Sequence, residues 1–265
     1  MIPAKKLFSL ALAGACLLVA NSGCKKTTTN VPAATAATPA APPVALQLST
    51  GKPISDNVDV MPRIINPSSP GQVQVNAMLD AIDKDSASQL RQNKTFSRTV
   101  NLTMAGPGYL SFFVSDSWNG GAYPASLFSV VIFDLNTGQV VDWTKLVNSP
   151  GLQNYSDTGA DGKLGMPQAL IDPALMAMYL KVPDNAGECQ TAYHDEQPFL
   201  VWPEAKSGGL VVEAFDLPHV VQACENPMPL TQDQAKALGF NADFLKAVAA
   251  AHMLPGADKL AAPGD

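Results

Sequence analysis

Residues 109–143 read YLSFFVSDSWNGGAYPASLFSVVIFDLNTGQVVDW, and their pattern decides the fold. Tyr109-Leu-Ser-Phe-Phe-Val114 has the aromatic and β-branched bias of a strand. Asn119-Gly120-Gly121 is a strong turn, and Leu127 to Leu135 is a nearly continuous apolar run that suits a central sheet position. Asp134-Leu-Asn-Thr-Gly138 is the next turn, with Asn136 and Gly138 expected to supply the positive φ of a tight reversal. Val140 and Val141 lead into Trp143 on a returning strand. Upstream, Val100, Leu102 and Met104 alternate with polar residues, as on one face of a preceding strand. The expected unit is an antiparallel meander of three or four strands between residues 98 and 147.

Further out, Phe199-Leu-Val-Trp202 and Leu210-Val-Val-Glu-Ala-Phe215, joined by Lys206-Ser-Gly-Gly209, predict a second hairpin. After the turn-rich Asn66-Pro-Ser-Ser-Pro-Gly71, the apolar residues Val75, Met78, Leu79, Ile82 and Leu90 suit one helix face. Asp172 can cap, and Pro173 can open, a helix reaching about Lys181. Residues 231–254 predict an Ala-rich helix capped by Thr231, with Leu238, Leu245 and Val248 on its apolar face and Pro255-Gly256 as its stop. The fold class is therefore α+β: an antiparallel sheet (meander plus second hairpin) with helices packed on one face, in a single domain.

The N-terminus carries an address. Lys5 and Lys6, the apolar run Leu7 to Ala20 and Asn21-Ser22-Gly23-Cys24 are the parts of a secretory signal. An apolar run of about 14 residues is too short for a bilayer core, which takes about 20. Small residues ending in Cys resemble the lipobox of bacterial lipoproteins, so residues 1–23 read as a lipoprotein signal peptide and Cys24 as the lipidated residue. Asn21 replaces the aliphatic residue usual at that position of a lipobox. Lys25 after the Cys suits outer-membrane retention. Residues 24–57 are rich in Thr, Ala and Pro without a periodic apolar face, and read as a disordered tether. The folded domain is expected over 58–230, with 231–265 forming a C-terminal helix and tail.

Cys16 leaves with the signal, so Cys189 and Cys224 remain as an even pair in an oxidising compartment, and one disulfide is expected. Loss of Lys5 and Lys6 leaves 15 basic against 23 acidic side chains, a net charge of about −8. That balance opposes nucleic-acid binding and favours a cationic partner.

Four segments of the meander follow one another in order: Tyr109-Leu-Ser-Phe-Phe-Val, Gly120-Gly-Ala-Tyr-Pro124, Phe133-Asp-Leu-Asn-Thr-Gly138 and Trp143-Thr-Lys-Leu146. They resemble the domain of unknown function shared by the lysozyme-sensing anti-sigma factor RsiV and the accessory region of the peptidoglycan deacetylase PdaC. The resemblance extends upstream to Pro62-Arg-Ile-Ile and the helix around Asn76, and downstream from Gly209-Leu-Val-Val through His219, covering roughly residues 58–228. It implies an extracytoplasmic α+β domain that binds a partner, without implying catalysis. Tyr123 stands where the family usually has His, so a role that needs an imidazole there does not carry over.

Catalytic patterns are sparse. No G-x-S-x-G elbow occurs, and His194, His219 and His252 have no recognisable nucleophile partner. His194-Asp195-Glu196 is a local cluster of acid, base and ligand types, and is the place a hydrolase reading would use. Asp157 and Asp161 with Gly162 fit positions 1, 5 and 6 of a calcium loop, but Gly159 and Gln168 occupy positions where ligands are needed. A tight polar loop is the better reading, and no cofactor is expected. Among the aromatics, Trp143 and Trp202 are expected in the core. Trp118 and Tyr123 flank the two-glycine turn as candidate binding residues, with Asp116 and Asn119 beside them to meet polar groups and Asp142 as a further hydroxyl ligand.

These readings converge on a bacterial envelope lipoprotein, held by an N-terminal lipid and facing the periplasm or surface. Its domain would bind a cationic protein such as a lysozyme-like hydrolase, or cell-wall peptidoglycan. A wall-directed hydrolase and a purely structural lipoprotein are the alternatives.

Overall fold

The chain enters the fold earlier than expected, at β1 (Leu48–Ser49), which pairs antiparallel with β2 (Arg63–Ile64). In this computed structural model the described residues are 45–119, 124–155 and 169–260, all within one unit, Pro42–Asp265. Leu48 is 4% exposed and joins the core cluster of Val75 and Phe112. The disordered tether expected over 24–57 therefore cannot include 45–57. Thr/Pro richness conceals an apolar anchor: buried Leu48, with Leu46 packed against the same cluster, holds the short strand together with its pairing to β2.

Helix α1 (Pro70–Gln92) begins where Ser69 accepts a hydrogen bond from Gln72 N, with Pro70 at the first helical position. Its buried stripe is Gly71, Val75, Leu79, Ile82 and Ser86, a helical period. Asn76 receives Ile64 N and donates to Ile64 O, both at 2.9 Å, and so fixes β2 against the helix. Arg63 reinforces the contact through Asp80 and Asp83.

The meander follows as β3 (Ser97–Ala105), β4 (Tyr109–Asn119), β5 (Pro124–Asp134) and β6 (Gln139–Val140), a four-stranded antiparallel sheet in sequence order. One face packs on α1: Val75, Leu79 and Ile82 meet Val100, Phe112 and Val131. The register slips between Leu102 and Met104. This bulge sends Met104 to the opposite face, away from Val100, so the simple alternation read from the sequence breaks there. The turn after β5 is held by Asp134, whose side chain receives Asn136 N and whose carbonyl receives Gly138 N. Gly138 alone carries its positive φ, at 71°, and Asn136 does not. Trp143 lies in a short helix α2 (Trp143–Leu146) capped by Asp142, where a returning strand was expected.

The second sheet contains β7 (Gln153–Tyr155), β8 (Ala169–Ile171), β9 (Phe199–Glu204), β10 (Gly209–Ala214) and β11 (Met228–Leu230), in the order β11-β10-β9-β8-β7 and antiparallel throughout. The α+β antiparallel class is thus observed, with the meander and the second hairpin in separate sheets. The free face of the first sheet packs on β9: Phe113 lies 5.0 Å from Trp202, and Ala205 N donates to Thr103 O inside the bulge. The expected core positions of Trp143 and Trp202 are observed, at 1% and 7% exposed.

Helix α3 (Pro173–Tyr179) follows β8, with Asp172 accepting from Ala174 N and Leu175 N as expected. The C-terminal helix is two helices, α4 (Gln232–Ala237) and α5 (Ala242–His252). Thr231 caps the first in a reciprocal box with Gln234. Gly239, at φ 88°, ends it, and Asn241 caps the second. Phe244, Val248 and Ala251 share one core cluster with both β9 and β10, so residues 231–260 are part of the domain rather than an appendage. No described helix is long and apolar enough to cross a membrane.

Candidate functional site

The hairpin β4–β5 carries the aromatic residues expected to bind. Trp118 is half-buried, and Asn119 is exposed with its N–H donated to Thr95 Oγ1 at 2.8 Å. Tyr123 lies outside the described residues. Asp116 is not a surface ligand. It is 9% exposed and accepts from Arg98 Nε and Nη2, both at 2.6 Å, while Arg98 Nη1 reaches Ser86 Oγ on α1. Burial of a carboxylate is tolerated only with such pairing, so Asp116 is committed to the fold. The strand read from sequence stops at Val114, so neither the place of Asp116 on β4 nor its partner eighteen residues earlier was expected. Asp142 is likewise occupied, receiving Thr144 and Asn154, and these bonds lower its pKa to about 2.

A second constellation gathers where the chain leaves β10 and where it enters β9. The Cys189–Cys224 disulfide, with S–S 2.03 Å, joins the short 3-10 helix Gly187–Ala192 to another at His219–Cys224. Two tyrosines brace it from within. Tyr193 donates its hydroxyl to Cys224 O at 2.7 Å, and Tyr179 donates to Asn226 O at 2.6 Å while accepting from Ala214 N. Burial raises the pKa of both phenols, so both stay protonated donors.

The bond clamps together two windows of like charge. Residues 183–196 hold Asp184, Glu188, Asp195 and Glu196, and residues 212–225 hold Glu213, Asp216 and Glu225. Neither window contains Lys or Arg. The nearest Lys in sequence is the exposed Lys181, just before the first window, and Lys206 sits in the β9–β10 turn at the other end of that hairpin. Glu213 is 9% exposed, and burial with the nearby Glu225 charge pushes its pKa up to about 7. Glu225 is itself raised by burial and Asp216, against the bond it receives from Leu217 N at 3.3 Å. Asp216, at φ 63°, accepts from Tyr155 Oη at 2.8 Å. Val220, 89% exposed, projects from the same lobe. The sequence held one signal for Glu213, a charge inside an apolar strand, and none for its neighbour Glu225.

His194, Asp195 and Glu196 are exposed side by side on a turn, and among the described residues no hydrogen bond or ion pair joins their side chains. The turn does not assemble them into a relay. Asp157 and Asp161 lie outside the described residues, and no described group of His, Cys, Asp and Glu converges to hold a metal ion. A hollow of about 340 Å³ at the C-terminus of α5 is lined by Lys206, His252, Met253 and Asp258 among others, and holds none of the predicted site residues. His252 there donates Nδ1–H to Ala205 O at 2.9 Å. No family model matches the chain, and no curated protein matches it.

Proposed function

We propose that the protein is a non-enzymatic bacterial envelope lipoprotein, anchored through Cys24, whose domain recognises a cationic protein. The observation that carries this reading is the charge segregation on the disulfide lobe: two windows of carboxylates without Lys or Arg are clamped together by Cys189–Cys224. Concentrated like charge opposes the folded state, and a cationic surface relieves it while increasing the encounter rate. The resemblance to the RsiV and PdaC domain supports a lysozyme-like hydrolase as the partner, and the disulfide suits an oxidising compartment. Cell-wall glycan is a second reading, favoured by the half-buried Trp118 beside the exposed Asn119.

Immobilised domain challenged with secreted hydrolases and wall fragments tests both. The charge reading expects capture of a basic hydrolase, with affinity falling as salt rises and at least about tenfold weaker binding for Asp195→Lys/Glu196→Lys. Binding insensitive to salt and to those reversals sinks it. The glycan reading expects Trp118→Ala to abolish retention of wall fragments.

A further inference from the structure

We infer that the β4–β5 hairpin is a self-association surface, on which a second copy of this chain pairs β5 to β5 across a two-fold axis. The backbone direction of β5 is set by β6. Val141 N donates to Ile132 O, so the peptide groups of Ile132 face away from β4. Alternation along a strand then aims the N–H and C=O groups of Ser126 and Phe128 at the same edge. β6 pairs only with Phe133 and Asp134 in the strand ladder, and among the described residues no backbone group bonds this outer edge at Ser126 or Phe128. Both residues are also partly or fully accessible there: Ser126 is exposed, and Phe128 is half-buried.

Sheet edges in monomeric proteins are normally guarded by Lys, Glu, Pro or a bulge. Here no charged residue occurs from Ser117 to Phe133, β5 has no bulge against β4, and Pro124 guards only the start. From Pro124 to Phe133 β5 is uncharged, and Asp116 beside Leu127 on β4 is neutralised by Arg98, so pairing at this edge sets no like charges opposite one another. The register is also self-complementary. With the axis at Leu127, Ser126 of each copy faces Phe128 of the other, and each such pair exchanges both of its N–H···O bonds. Leu127 meets its own copy on one face, and Phe128 covers Ser126 on the other.

Pairing at this edge is independent of the cationic-partner reading, because its test contains no partner. Sedimentation of the exported chain with Cys24→Ser, which removes the acyl group, should show a mass that doubles with concentration. Ser126→Pro deletes an outward N–H and no β4–β5 bond, and should weaken association at least about tenfold, since Pro is compatible with an edge position. Ser126→Ala keeps the N–H and should associate like the parent. Circular dichroism and the melting temperature confirm that each variant is folded. A monomer at every concentration, or a dimer whose affinity Ser126→Pro leaves unchanged, overturns the assignment.

Discussion

Arg98 and Asp116 stand directly opposite each other on β3 and β4, and their side chains form a two-pronged ion pair beneath α1, with both bonds at 2.6 Å. The pair lies at 8% and 9% exposure, and Ser86, fully buried on α1, joins it to the helix. It also sits under the N-terminal segment, because Arg98 N donates to Asn57 O and Asp59 N donates to Arg98 O. One residue thus ties helix, sheet and the segment between β1 and β2 together.

Removing one partner leaves a buried charge uncompensated. Asp116→Ala is expected to destabilise the domain by about 3–5 kcal/mol, whereas Arg98→Met/Asp116→Leu is expected to recover most of that loss. Urea unfolding of both variants checks this. A double variant as unstable as the single one would show that the geometry, not the charge balance, dominates.

The disulfide closes a separation of 35 residues, for which chain entropy alone gives about 4 kcal/mol. Cys189→Ala/Cys224→Ala should lower stability by roughly that amount. Because Tyr179 and Tyr193 brace the same lobe, hydrogen exchange should rise first at residues 183–226.

Glu213 makes stability depend on pH. Its folded pKa, about 7, lies above its ordinary 4.5, so the folded state holds the proton more tightly than the unfolded chain. That contribution is complete below pH 4.5 and is lost as pH rises through 7. Its size is at most on the order of 3 kcal/mol. Glu213→Gln should flatten the fall in melting temperature over this window. Asp142 acts with the opposite sign: its pKa is lowered to about 2, so its contribution holds above 3.8 and is lost as pH falls toward 2.

The entry strand is a stability element. Leu48→Ala should cost about 2–5 kcal/mol, the range for deleting a buried Leu side chain. A chain beginning at residue 45 should melt like the full one, and a chain beginning at residue 58 should melt much lower or fail to fold. Thermal unfolding of the truncation pair decides whether the domain starts at β1.

Much of the local structure was legible because it has local causes. Asp and Thr followed by the right neighbours marked the caps at Asp172 and Thr231, and period-two and period-3.6 patterns marked β4, β5 and α1. The missed break at Gly239–Asn241 was equally local: a Gly able to take φ 88° followed by an Asn cap was present to be read. The candidate site was less legible. Asp116 looked like a surface acid beside an exposed loop, since nothing near it in sequence announces Arg98.

The sequence by itself determined the α+β class, the antiparallel hairpins, the cysteine pair and the acidic balance, because side-chain size, charge and turn chemistry act over a few residues. Only the tertiary structure decided that the hairpins belong to separate sheets, that a bulge turns Met104 to the other face, and that Asp116 is spent on Arg98. It also decided that carboxylates from two distant windows share one lobe. Those outcomes depend on which surfaces meet across tens of residues, where packing and desolvation select the partner and local pattern does not.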